Sequence, residues 1–236
     1  MNQIRRVISK LFHVYFEKKT SHLPVWGKIL MLHWVGDTVL DEEREPYRIS
    51  INQFCEFLGW LKKKNIVRLE KWSNTTSFYS LTIDDVPENF YQNAFPLLKE
   101  AEIPFTIFVN LSLLDTEGFI TTAQLKEMSS CPLCTVGSHG ISHSEFQIFN
   151  KRQALRDLKE SKEKLEYLLG RSIELYAFPY GSYYACGYRN KHLVSSVYKY
   201  GFGTIGCAIT NPQVLPNYYL PRINVNPAYI EKLTKE

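Results

Sequence analysis

A chain of 236 residues with 44% hydrophobic and 22% charged residues, and no repeat or low-complexity tract, has the make-up of one folded globular domain. Its net charge of +4 is spread out with no long Lys/Arg block, so a nucleic-acid partner is not expected. The five cysteines are odd in number and not spaced as a disulfide framework, which reads as reduced thiols suited to the cytoplasm.

The first segment, MNQIRRVISKLFHVYFEKKTSHL, is basic and mildly amphipathic. It lacks an apolar h-region and a small-residue cleavage site, so it does not read as a signal peptide. No run in the chain reaches the roughly 18 apolar residues of a transmembrane helix. Residues 1–27 are expected to be a helical extension packed on the domain; weak contact of residues 1–16 with a membrane surface is the second option. The expectation is a cytoplasmic protein, or a membrane-peripheral one.

Strand-like and helix-like runs then alternate over residues 28–236. KILMLHW (28–34) reads as a buried strand, 51–65 as a helix and SFYSLTI (77–83) as a strand. Residues 87–102 read as one helix with Pro87 in its first turn. PFTIFVN (104–110) is a strand, a short helix is capped at Thr121 or Thr122, and CTVGSH (134–139) is a strand. Residues 151–170 have the clearest helical period, stopped by Gly170. IELYAFP (173–179) is a strand, 192–201 a helix stopped by Gly201, and 202–209 and 218–225 are the last strand-like runs. Such alternation predicts parallel strands joined by helices, hence an α/β barrel or open sheet.

The chemistry-bearing residues stand where strands end. His33 follows KILML, Asp84 and Asp85 follow SFYSLTI, His139 follows TVGS, and Pro179-Tyr180-Gly181 follow IELYAF. In a parallel α/β barrel these ends share one face. His139 and His143 form a His-x-x-x-His pair. One carboxylate with two imidazoles makes a divalent-metal site with open positions, and a second carboxylate is left over as a base. Arg222, in LPRINV at another strand-like end, is a candidate partner for Asp84 or for a substrate anion. Cys131 and Cys134 form a CxxC, but a structural zinc site would need a second pair that the chain does not supply.

In this order the motifs resemble the polysaccharide deacetylase family, also known as the NodB-homology or carbohydrate esterase family 4 domain. LTIDDVPENF is similar to its first motif, SHGISH to its second and YAFPYGSY to its third. ILMLHWV resembles the early histidine segment of circularly permuted, exopolysaccharide-deacetylase-like members, and no histidine follows His192. The resemblance implies a distorted (β/α) barrel of about seven parallel strands. It implies a hydrolase that removes N-acetyl groups from a polysaccharide or glycoconjugate. In that scheme Asp85, His139 and His143 hold the metal, with zinc expected and iron, cobalt, nickel or manganese also suited to the donor set. Asp84 is the base, His33 the acid with a pKa near 6.5, and the Tyr180 N–H an oxyanion donor. Trp34, Tyr183 and Tyr184 are candidate sugar contacts. Val86 stands where the family usually has Gly, which predicts a turn that avoids positive φ. Two alternatives accompany this reading: a non-catalytic carbohydrate-binding relative, which the intact ligand set disfavours, and an enzyme removing formyl or another acyl group from a lipid-linked amino sugar.

Overall fold

The computed structural model describes residues 26–38, 44–72, 75–209 and 216–235, together with Leu11, Val14 and Glu42. The amphipathic reading of the N-terminal segment therefore lies outside the described residues, apart from Leu11 and Val14.

Seven strands form one parallel sheet in the order β8-β7-β6-β5-β4-β1-β9. They are β1 (Gly27–Leu32), β4 (Phe78–Asp84), β5 (Phe105–Val109), β6 (Cys134–Ser138), β7 (Leu175–Ala177), β8 (Tyr200–Phe202) and β9 (Ile223–Asn224). A two-stranded piece, β2 (Trp34–Val35) with β3 (Arg48–Ile49), stands beside it. Every residue of β4 and β5 is buried, as expected for strands covered on both faces. The sheet curls until its ends meet. Leu220 donates to Gly201 of β8 and accepts from Gly203 just past it (2.8 Å each), and five residues on, Val225 donates to Met31 of β1 (2.9 Å). One segment thus closes the barrel from both sides.

The helices cover this sheet. They are α1 (Ile51–Leu61), α2 (Glu88–Asn93), α3 (Phe95–Glu100), α4 (Thr122–Ser130), α5 (Lys151–Leu169) and α6 (Pro227–Thr234). Reciprocal capping boxes start three of them: Ser50 with Gln53, Thr121 with Gln124 and Asn150 with Gln153. The helix expected over 87–102 is broken at Ala94, because Pro96 has no N–H to bond back into the preceding turn. The helix expected over 192–201 is a 3₁₀ turn at Lys191–Ser196, and Gly201 lies inside β8. The Val-Ser-Ser-Val run there has low helix propensity, and the chain must turn back to lay β8 beside β7. Of the run 202–209 only its start is in β8; Ile209 makes an isolated antiparallel bridge to Gly27. β1 begins at Gly27. Among the described residues no helix is long and apolar enough to cross a membrane.

Register decides what the barrel mouth presents. Leu32 of β1 pairs with Ile83 of β4, so the next residues, His33 and Asp84, are neighbours. Val109 pairs with Ser138 and Ser138 with Tyr176, which sets Asn110, His139 and Ala177 at one level.

Candidate metal centre and active site

Asp85, His139 and His143 each offer a ligand atom, and the three atoms lie within 4.8 Å of one another. His139 is buried, and its Nδ1–H donates to the Ala177 carbonyl at 2.8 Å. A carbonyl only accepts, so the proton sits on Nδ1 and the Nε2 lone pair is bare. That Nε2 lies 3.7 Å from Asp85 Oδ1, and His143 Nε2 lies 3.4 Å from the same oxygen. Asp85 Oδ1 is buried and has no hydrogen-bond partner. Burial pushes Asp85 up to about 6, the negative charge of Asp84 adding to it and the charge of His139 opposing it. Burial also holds His143 at about 4, and lowers His139 against the pull of both aspartates. Both imidazoles are neutral at pH 7, the form that binds a metal. Acceptors converging with no donor between them fit a cation, and two nitrogens with one oxygen suit zinc. Among the described residues this is the one such group, and Cys131 and Cys134 are free thiols outside it.

Asp84 stands beside the cluster, its Oδ2 3.9 Å from His139 Nε2. Both its oxygens are taken by Arg222, Nη1 to Oδ1 at 2.6 Å and Nη2 to Oδ2 at 2.7 Å. Arg222 is fully buried, and its Nε donates to the Gly203 carbonyl at 3.0 Å. It does not stand at the carboxyl end of a strand. It precedes β9, inside the barrel, and its long side chain reaches up past the Phe108 ring. With both terminal nitrogens on Asp84, the pairing with the carboxylate is the arrangement found. Burial alone would raise Asp84, but the charge of Arg222, then that of His139, then the Arg222 hydrogen bonds hold it at about 2.

His33 sits beside this pair, tilted against the Tyr47 ring at 5.0 Å. Burial outweighs the charge of Asp84 and holds His33 at about 4, below the value near 6.5 expected from the sequence. Its Nδ1 is buried without a partner. Tyr180 closes the opposite side. Its ring lies 4.8 Å from that of His143, and its N–H donates to no described residue.

The backbone is bent hard at these positions. Asp85 (φ 60°), Val86 (φ 53°), His143 (φ 46°) and Tyr180 (φ 59°) are all left-handed. The expectation that Val86 avoids positive φ is wrong. The chain must turn immediately after β4 to bring two adjacent aspartates to one place, and the fully buried Val86 side chain anchors that turn.

Residues 73–202, more than half of the chain, match the polysaccharide deacetylase family. The chain belongs to that family. The deacetylase is 28% identical over 219 residues to the poly-β-1,6-N-acetyl-D-glucosamine N-deacetylase of Staphylococcus aureus (strain MRSA252), covering 82% of this chain and 73% of that one. The Staphylococcus epidermidis protein of the same name is 27% identical over 220 residues, covering 83% of this chain and 74% of its own. Two solved structures share the fold. Streptococcus pyogenes deacetylase PplD, in complex with acetate, has a TM-score of 0.76 at 21% identity over 90% of this chain and 100% of that one. IcaB from Ammonifex degensii has a TM-score of 0.69 at 20% identity over 90% of this chain and 97% of its own.

Two supporting residues of the deacetylase carry no motif in the sequence. Asp157, buried on α5, accepts the Ile141 N–H at 3.2 Å and so holds the loop between the two histidines. Its place, six residues into an amphipathic helix on a position that should be apolar, was the available signal. Asn110, buried after β5, accepts from the N–H (2.9 Å) and hydroxyl (2.8 Å) of Ser112, whose N–H also reaches the Ile141 carbonyl (2.9 Å). Asp157→Ala is expected to loosen that loop and weaken zinc affinity by about 10–100-fold, as loss of a ligand-orienting partner does. Competition with a chromophoric chelator measures it; unchanged affinity would leave Asp157 a packing residue only.

Gly181 anchors the Tyr180 turn. It is left-handed (φ 58°), and its carbonyl accepts from Thr204 N–H at 2.7 Å and Tyr219 Oη at 2.9 Å. A Cβ here would overlap the Thr204 side chain, so only glycine lets the two loops meet.

Proposed function

We propose that this deacetylase removes N-acetyl groups from a polysaccharide of N-acetylated amino sugars, of the poly-N-acetylglucosamine kind, with a divalent metal held by Asp85, His139 and His143. The observation that carries the reading is the convergence of three lone-pair donors, one a buried orphan oxygen, beside a second, ionised carboxylate. Zinc suits the donor set best; iron, cobalt, nickel and manganese are also accepted by it. A bound ion of this kind acidifies a water and polarises the acyl oxygen.

The chain's own groups supply the rest. Asp84, kept ionised and oriented by Arg222, accepts the proton of the attacking water on a carboxylate oxygen. Its low proton affinity confines that role to the transition state. The Tyr180 N–H donates to the acyl oxygen as charge builds there, and Pro179 before it brings no competing donor. His33 delivers a proton to the leaving nitrogen, so the C–N bond breaks to acetic acid, which then ionises, and a neutral amine. Because His33 begins neutral, the proton it delivers is the one Asp84 took from the water, which the low proton affinity of Asp84 makes it give up.

Acetate release from N-acetylglucosamine oligomers tests this. Chelator treatment is expected to abolish release and one equivalent of zinc or cobalt to restore it. Release that survives complete metal removal, or no release from any N-acetylated glycan, would overturn the proposal.

A further inference from the structure

The floor of the barrel, at the amino ends of the strands, carries a pair of thiols that the metal centre leaves unused. Cys131 caps the end of α4, and Cys134 is the first residue of β6, on the strand that leads to His139. At about 3.3 Å per strand residue, Cys134 stands roughly 16 Å from that ligand. Between the two cysteines the chain makes one tight turn. Cys131 N–H donates to the Met128 carbonyl, closing the last turn of α4, and Cys134 N–H donates to the Cys131 carbonyl, each at 3.0 Å. Pro132 and Leu133 lie between. Cys131 is extended (φ −70°, ψ 124°), as a residue before proline is driven to be, and Pro132 presets the second position of a β-turn. A turn closed by that bond keeps its end Cα atoms within about 7 Å, and a disulfide spans Cα separations of about 4.4–6.8 Å. The turn thus brings the two cysteines into the range that a bridge needs.

Burial gives the two sulfurs different tasks. Cys131 is half-buried and lines an open cleft of about 500 Å³ with Phe95, Lys99 and Glu127. Cys134 is buried, and its thiol donates to the Thr135 carbonyl at 3.7 Å. Burial pushes the Cys134 thiol far above the ordinary thiol range; the Arg171 charge opposes this and the Cys131 sulfur adds to it. Reactive dithiols sit at helix N-termini, where the dipole favours the thiolate, whereas Cys131 stands at the negative end of α4. This is the setting of a structural bridge rather than of an oxidoreductase.

We propose that Cys131 and Cys134 are a site of disulfide formation, closed by a low-molecular-weight disulfide and then resistant to reduction. The Cys131 thiolate attacks one sulfur of the small disulfide, whose S–S bond breaks and whose other half leaves as a thiolate. The Cys134 sulfur then attacks that of Cys131, the mixed S–S bond breaks, and the second half leaves. Both cysteines are oxidised, one small disulfide is reduced to two thiols, and the protons of the two cysteines end on those thiols. In the reverse direction a reductant meets the accessible Cys131 sulfur and must expel Cys134 as a buried thiolate, a poor leaving group. The bridge ties the end of α4 to the start of β6 and touches no metal ligand.

The pair owes nothing to the deacetylase reaction, and its test needs none. The full chain is incubated with oxidised glutathione, the remaining thiols are alkylated, and cleavage after Lys and Arg yields the peptide 127–151, which holds both cysteines and no other. That peptide is expected to carry no alkyl group and to be two hydrogens lighter. The Tm of the oxidised chain is expected to stand about 4 °C or more above that of the reduced one. Cys131→Ser should remove both effects, and Cys134→Ser should stop at a glutathione adduct on Cys131. Should Cys134→Ser not fold, as circular dichroism would show, the mapping of the unaltered chain still decides. Reduced glutathione is expected to open the bridge at least about tenfold more slowly in the native chain than in urea. Alkylation of both cysteines after Cys55, exposed on α1, has taken up glutathione would overturn the site. So would a bridge from either cysteine to another partner, an unchanged Tm, or equal opening rates in the native chain and in urea.

Discussion

Arg222→Met is expected to destabilise the fold by about 3–5 kcal/mol, because it leaves the Asp84 carboxylate buried with no counter-charge. Urea unfolding at pH 7 measures it. The guanidinium is fully buried and every nitrogen is engaged, so neither water nor a neighbour replaces it. The double variant Asp84→Asn/Arg222→Met should recover most of the stability and none of the activity, since removing both charges removes the penalty with the base. Additive losses in the cycle would show that the two residues act separately. The pH dependence follows from the same pair. Asp84 is held at about 2, below its ordinary 3.8, so its contribution of about 2 kcal/mol is complete above pH 4 and is lost as pH falls through 2. In Arg222→Met that acid-labile part is expected to vanish.

Asp85→Asn and His143→Ala are each expected to lower acetate release by about a thousandfold or more, equivalent to about 4 kcal/mol of barrier, and to abolish tight zinc binding. Their effects on the metal-free fold should differ. Burial raises Asp85 above its ordinary value, so its ionised form costs stability at neutral pH. Asp85→Asn removes that cost, and the metal-free variant is expected to be more stable than the unaltered chain at pH 7 but not at pH 4. His143→Ala has no such gain. Retention of a full zinc equivalent in either variant would show that the ion is held elsewhere.

Much of this was legible in the chain. The Asp-Asp and His-x-x-x-His motifs are local, so spacing alone brings them to the ends of β4 and β6, and alternation of strand and helix sets those ends on one face. Capping residues such as Asn150 and stops such as Gly170 are likewise short-range signals. What was not legible is long-range or costs energy locally. The left-handed turn at Val86 contradicts the residue's own preference and exists because the surrounding barrel enforces it. The depth of Arg222 depends on where the last strand enters the sheet. The depressed pKa of His33 depends on how much of the protein covers it, which no neighbouring residue announces. The final helix, α6, has eight residues, too few for a clear period, although Asn226 and Pro227 mark its start.

The closing segment has a consequence for the timing of synthesis. Asp84 and Arg222 are 138 residues apart, and the stretch that carries Arg222 is also the one that joins β8 to β1. A nascent chain that has already made β1, β4, β5 and β6 holds a carboxylate in its growing core with nothing to neutralise it. The sheet also keeps two open edges until residues 217–225 leave the ribosome. Such late, distant pairing is slow and leaves strand edges exposed to other chains. The salt bridge that orients the proposed base is therefore also a completion signal: until it forms, neither the barrel nor the proposed reaction centre exists.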